Sequence, residues 1–424
     1  MISDEVRNKA QGVLLGLALG DALGTTLEFR PKGSFTPITD MEGGGPFNLQ
    51  AGQWTDDTSM MLCLADSFLE CGKNNSKDQM ERYLRWYRHG DNSCTGHCFD
   101  IGNTVRAALH QFELTGDPLS GSEEPNTAGN GSLMRIAPIA LFYRKQSIEE
   151  ACDAACLASM TTHAEPRTQA ACALMTYFLH RGLNTPSIEL TKGNFLTISP
   201  DFILRLGSLS QDVVELATGN YRLKQESEIK GTGFVIDSLE AALWCFYHSD
   251  SFEHGALLAA NLGDDADTTA AIYGQIAGCF YGADSLPEHW LDKLAWRKHI
   301  ARHAEYLLLR PSNHNLKRFL DSCSHNEQGF DYTAFYESSI AIALSWDLAD
   351  TVDWNSNGRS VIEVIKEMSL MACLSWITQV VRSDRFNQGL LQETLDNGSM
   401  AAAIKRLQWL MNTYAPSNEC MTKD

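Results

Sequence analysis

Apolar residues recur at spacings of three and four along most of this chain, and no long stretch alternates apolar with polar. That pattern predicts helices over 5–24, 58–71, 76–90, 147–160, 166–182, 235–248, 252–262 and 286–309. Another opens at Asp100-Ile101-Gly102-Asn103-Thr104 and runs to about Phe112. Residues 185–230 show no clear period. Later helices are expected near 315–322, 333–349, 360–382, 387–396 and 399–413. The reading is an all-α chain.

At 424 residues the chain exceeds what one core usually holds, and its composition shifts at Pro311-Ser312-Asn313-His314-Asn315. A main domain is therefore drawn at 1–310 and a small helical one at 311–424. In the latter, Tyr332, Phe335, Tyr336, Trp346, Trp376 and Trp409 fit a small core serving recognition or assembly.

Two helices carry stripes of small residues. Gly12, Gly16, Gly20 and Gly24 fall on one face of the first. Each costs a helix about 1 kcal/mol relative to alanine, so another backbone should pack very close there. Ala270, Gly274 and Gly278 form a similar stripe, a candidate partner that would bring Glu28 towards the acids before that helix. Asp21, just after the glycine-lined stretch, is a candidate for a site wall.

Those acids form one of two blocks, Gln53-Trp54-Thr55-Asp56-Asp57-Thr58 and Gly263-Asp264-Asp265-Ala266-Asp267-Thr268-Thr269. Each precedes an apolar helical run. A helix N-terminus favours one carboxylate, which accounts for one Asp per block. Adjacent acids repel unless a cation screens them, and Asp with Thr offers the oxygen ligands a hard divalent cation takes. Capping and cation binding thus compete as readings, and the second requires the blocks to meet in space.

Residues 30–53, rich in Gly and Pro, read either as a lid over the site or as a plain surface loop. Gly129-Asn130-Gly131-Ser132-Leu133-Met134-Arg135 exposes backbone N–H groups beside a cation, a combination that suits phosphate. His163 sits in a loop between helices, and Phe234 is positioned either to stack on a base or to fill a core.

The formal net charge of −19 argues against nucleic acid or an anionic membrane surface as partner. Most of the 12 cysteines lie in apolar helical runs without a disulfide spacing, as in a reducing, cytoplasmic setting. Cys94, His97 and Cys98 lack the second ligand pair of a zinc site. No run is read as transmembrane, and the Gly12–Gly20 stretch is read as mature protein rather than a signal core.

Several blocks together resemble the ADP-ribosylglycohydrolase family. They are Gly16-Leu17-Ala18-Leu19-Gly20-Asp21-Ala22-Leu23-Gly24 running to Glu28-Phe29, Trp54 to Met60, Asp100 to Asn103, Gly129 to Pro138, Thr162-His163, and Asp265 to Thr268. The match runs in order across about residues 5–305. The resemblance implies an all-α fold, a binuclear centre of two Mg2+ ions (Mn2+ in some members), and removal of ADP-ribose from a modified protein side chain, most often arginine. By position, Thr55, Asp56, Asp57, Asp265, Asp267 and Thr268 would be metal ligands. Glu28 and Asp57 would be catalytic. Asp100, Gly102, Asn130, Gly131, Ser132, Met134, Arg135, His163 and Phe234 would contact substrate. Asp264, where members often have Gly, and the divergent 185–230 region leave the linkage open. A serine or O-acetyl-ADP-ribose linkage, or ADP-ribose binding without turnover, are the alternatives.

Overall fold

The computed structural model describes residues 2–309, 319, 360–384 and 389–414. The expected helix at 333–349, most of that near 315–322, and Tyr332, Phe335, Tyr336 and Trp346 lie outside the described residues. Among the described residues every regular element is helical, and only isolated bridges pair extended backbone. In chain order the helices are α1 (Asp4–Gly24), α2 (Asp56–Cys71), α3 (Ser76–His89), α4 (Asn103–Thr115), α5 (Ala137–Phe142), α6 (Ile148–Met160), α7 (Pro166–Asn184), α8 (Lys192–Phe195), α9 (Pro200–Gly207), α10 (Gln211–Ala217), α11 (Val235–His248), α12 (Phe252–Ala260), α13 (Ala266–Tyr281), α14 (Glu288–Leu291) and α15 (Arg297–Leu309). Four more follow: α16 (Val361–Glu367), α17 (Leu370–Ser383), α18 (Leu390–Asp396) and α19 (Ser399–Tyr414).

Two compact units result, Met1–Ser67 with Asn74–Leu308, and Phe68–Lys73 with Leu309–Asp424. The first is built around α1 and α13, which run antiparallel. A Cβ built on Gly12, Gly16, Gly20 or Gly24 would fall on the backbone carbonyl oxygen of Gly278, Gly274, Ala270 or Ala266 in turn, inside the 3.0 Å that real Cβ atoms keep. The two small-residue stripes do face each other. Gly274 and Gly278 are blocked in return by the carbonyls of Gly16 and Gly12. α7, α11 and α12 pack on the remaining sides of α13.

The segment Asp4–Leu27 is long and apolar enough to cross a membrane, with 89% of its apolar window buried inside the protein. Its apolarity is taken up by the helices around it. A second packing group joins α2, α3 and α4 through Met60, Cys63, Met80, Tyr83, Trp86, Leu109 and Phe112, with Met134 beside them.

Helix ends follow capping chemistry. Ser3 caps α1 by accepting from the Val6 N–H, Ser147 and Glu150 form a reciprocal box on α6, and Pro166 opens α7. The expected helix over 286–309 is broken instead at Asp292–Trp296. There the Ala295 N–H donates to the Gly52 carbonyl, the Trp54 indole donates to the Ala295 carbonyl, and Trp296 is left-handed at φ 55°. The 185–230 stretch folds into α8, α9, α10 and single turns, too short for a periodic signal.

In the second unit the single helix expected over 360–382 is two. Met368 is extended, and Ser369 starts α17 by accepting from the Ala372 N–H. Trp376 is buried as expected, whereas Trp409 is half exposed and faces Arg406.

Candidate metal and substrate site

The site begins where α1 ends. Asp21, fully buried, accepts four hydrogen bonds from the start of α2. Its Oδ1 takes the Thr55 N–H and hydroxyl, both at 2.8 Å, and its Oδ2 takes the Thr58 N–H at 3.0 Å and hydroxyl at 2.6 Å. A carboxylate from another helix thus caps α2 and fixes the direction of Asp56 and Asp57. The Thr55 hydroxyl oxygen also lies 3.1 Å from Asp267 Oδ2 and 3.4 Å from Asp57 Oδ2. Thr268 Oγ1 lies 3.4 Å from the same Asp57 oxygen. The two acid blocks therefore share one place.

Carboxylate oxygens of Asp21, Asp57 and Asp267 lie within 4.8 Å of one another, and so do those of Glu28, Asp100 and Asp267. Asp267 is common to both groups. Each group could hold a metal ion. Asp21 already has both oxygens doubly occupied by donors, which makes it an organiser of the cage more than a ligand. Asp57 Oδ1 and Glu28 Oε2, both buried, have no hydrogen-bond partner in the protein. Buried acceptors without donors, next to threonine hydroxyls, are what a hard cation would satisfy.

The electrostatics agree. Burial, then the neighbouring acids, push Asp56, Asp57 and Asp267 well above the usual carboxylate range. Burial also raises Asp21 and Asp265. Glu28 is pushed up to about 10, first by burial and then by Asp100 beside it, and Asp100 is pushed up to about 7, chiefly by burial. Without positive charge these groups hold protons, and a divalent cation reverses that preference.

The acids open into a cavity of about 780 Å³. Its walls include Glu28, Asp56, Asp100, Gly102, Gly129, Asn130, Gly131, Met134, His163, Asp264, Asp265 and Thr268. Thr55, Asp57 and Asp267 are buried and are not among these walls. The glycine loop is tied to the acids by Asn130, whose side-chain amide donates to Asp265 Oδ2 at 2.6 Å. Its backbone N–H donates to the Gly233 carbonyl at 3.1 Å. His163 lies under this loop, close to where a Cβ on Gly129 or Gly131 would sit. Burial, then Arg135, lowers its pKa to about 3, so the ring is neutral.

Three expected substrate contacts are placed elsewhere. Arg135 is 1% exposed and is not among the cavity walls. Its guanidinium donates to Tyr83 Oη, the Gly131 carbonyl and Thr162 Oγ1, and stacks on the Tyr83 ring. It braces the loop from behind, because a loop of small residues has no packing of its own to hold it. Ser132 is likewise buried, against Ser159 and Cys172. Phe234 carries Arg167 over its ring outside the cavity wall, while its neighbours Thr232 and Gly233 line it.

Among the described residues six non-glycines are left-handed, and Phe29, Asp100 and Asp264 of these line this one cavity. Phe29 and Asp264 are locked together: the Phe29 N–H donates to the Asp264 carbonyl at 2.7 Å, and the Asp264 N–H to the Arg30 carbonyl at 2.8 Å. Strain of this kind, of order 1–3 kcal/mol per residue, persists where surrounding structure over-determines it. The 30–53 segment, one reading of which was a lid, is pinned along its length. Asn261 pairs with both backbone groups of Ile38, Asp40 accepts from Trp290 and Lys293, and Thr26 donates to the Gly43 carbonyl. Cys94 donates to the Trp54 carbonyl and, among the described residues, belongs to no ligand cluster.

The capping role of Asp21, the wall formed by Asp264 and Gly233, and the exposed ring of Phe29 were not assigned from sequence. A carboxylate at the end of a glycine-lined helix was the available signal for the first. The others follow from backbone conformation, which residue type alone does not announce.

Residues 2–316 match the family model described as ADP-ribosylglycohydrolase, and residues 327–413 match a family of unknown function. Over 303 residues the chain is 46% identical to the ADP-ribosylarginine hydrolase Tri1 of Serratia proteamaculans (strain 568), covering 72% of this chain and 80% of that relative. It is 30% identical over 316 residues to the ADP-ribosyl-[dinitrogen reductase] glycohydrolase of Rhodospirillum rubrum, covering 73% and 98%. A solved structure described as an ADP-ribosylglycohydrolase-related protein complex superposes with a TM-score of 0.63 at 38% identity, over 72% of this chain and 99% of that one.

Proposed function

Since the chain belongs to the ADP-ribosylglycohydrolase family, we propose that it is a metal-dependent hydrolase that removes ADP-ribose from arginine side chains of modified proteins, releasing free ADP-ribose. Relatives named as ADP-ribosylarginine hydrolases support the linkage. One observation carries the metal requirement: acids some two hundred residues apart in sequence converge on one buried cage with unpartnered oxygens.

Thr55, Asp56, Asp57, Asp265, Asp267 and Thr268 would hold a pair of divalent cations, in our reading magnesium. Bound there, such ions supply charge to orient ribose hydroxyls and to activate a water at neutral pH. The protein's own residues do the rest. The Gly131 N–H would donate to the pyrophosphate, those of Gly129 and Asn130 being taken by the Thr127 and Gly233 carbonyls, and Arg135 holds that loop in place. His163, neutral, adds a ring nitrogen without competing charge. Glu28, buried beside Asp100, can give a proton to the departing guanidine nitrogen. It recovers one from the attacking water. The nearby carboxylates stabilise positive charge developing on the ribose.

The test is release of ADP-ribose from a defined arginine conjugate, with and without magnesium. Chelation and Asp56→Ala should each abolish it. Full turnover after both treatments refutes the metal mechanism. Turnover of a serine or O-acetyl conjugate with none on arginine reassigns the linkage.

A further inference from the structure

The geometry points to Phe29 as the platform on which the leaving arginine's guanidinium stacks, a specificity determinant that rests on the arginine reading above. Of the large apolar side chains exposed in the described residues, Phe29 is the one that lines the acid cavity, and it is 66% exposed. An aromatic ring held in water at the mouth of an acidic cavity gains nothing from burial, so its position needs another account. It follows Glu28 directly, which puts it beside the carboxylate assigned to protonate the leaving group.

The ring is not free to fold away. The paired hydrogen bonds with Asp264 and Arg30 hold its backbone at φ 61°. Phe47 meets it edge-on, with centroids 6.4 Å apart, and Phe99 backs Phe47 at 5.1 Å. Phe99 precedes Asp100, whose carboxylate faces Glu28 and Asp267. A supported aromatic face and a ring of acids therefore border the same opening. A planar cation on an aliphatic stem fits both: the guanidinium lies flat on the ring, and its N–H groups face carboxylates. A serine or acetyl leaving group offers no such cation.

The test compares wild type with Phe29→Leu, Phe29→Ala and Phe29→Tyr in magnesium. Leu keeps bulk and the same backbone demand but lacks a π face, and Tyr restores the face. Expected are a fall in kcat/KM on a small ADP-ribosyl-arginine conjugate of roughly 3- to 30-fold for Leu and Ala, carried mostly by KM, and near wild-type values for Tyr. The affinity for ADP-ribose, which lacks the guanidinium, should be unchanged in all three. A Leu variant as active as wild type, or an equal loss of ADP-ribose affinity, overturns the assignment. Wild-type protein inactive on the arginine conjugate overturns the parent reading as well, and is seen before any variant is made.

Discussion

Replacing Gly20 with alanine should damage stability and metal binding together. Gly20 is where α1 touches the backbone of α13 at Ala270, one residue from Asp21 and about one turn from Asp267. A methyl group there meets a carbonyl oxygen inside 3.0 Å, and backbone, unlike a side chain, cannot swing aside. The helices must part by roughly 0.5–1 Å, at a cost of about 1–3 kcal/mol for overpacking. Better helix propensity returns at most about 1 kcal/mol. The net loss, about 0–2 kcal/mol, corresponds to a fall in Tm of up to a few degrees in a domain of this size. The same movement stretches the Thr55 hydroxyl between Asp21 and Asp267, now 2.8 and 3.1 Å away. Disturbing groups that orient ligands typically costs ~10- to 100-fold in metal affinity. Gly193→Ala and Gly207→Ala are the controls, since a Cβ at either meets nothing closer than 3.8 Å. Thermal melts and calorimetric titration with magnesium read both effects. If Gly20→Ala melts with the controls and binds magnesium like wild type, the backbone contact does not set the cage.

Two further outcomes follow from the same cage. In chelator, the acids have folded-state pKa values above their unfolded ones, so the native protein binds extra protons and its stability falls as pH rises. The loss should begin above about pH 4, continue through about 7 as Asp100 ionises, and extend towards 10 with Glu28, while saturating magnesium flattens the profile. Melts across pH with and without metal check this, and a metal-free protein that gains stability over that range contradicts it. Asp21→Asn turns part of an acceptor that faces four donors into a donor. It should cost about 2–4 kcal/mol in urea unfolding and weaken magnesium binding; an unchanged midpoint would show that the cap is dispensable.

Much of this was legible in the residues. The glycine stripe announced a backbone contact because glycine in a helix has no other common use, and its partner stripe had the matching period. The acid blocks announced a shared site because repulsion between neighbouring carboxylates needs an explanation, and their oxygens do meet. What sequence does not encode locally was missed. Arg135 reads as a free cation beside a loop, yet Tyr83 and Thr162, from distant segments, claim its guanidinium. The break before Trp296 depends on hydrogen bonds to Gly52 and Trp54, invisible to any window over 286–309. The hold on residues 30–53 comes from Asn261, Trp290 and Lys293, far along the chain.

The hydrogen bonds that Asp21 receives from α2 carry a consequence for synthesis of the protein. From position 21 to position 267 a ribosome needs roughly 12 to 50 s. Through that interval Asp21, joined early by Asp56 and Asp57, exists without the second acid block that completes their cluster. A nascent chain short of Asp267 would leave them hydrated, and on the metal reading proposed above loading would wait for Asp267 to emerge. On that reading catalytic competence would arrive late in synthesis, and a product terminated before Asp267 would lack it.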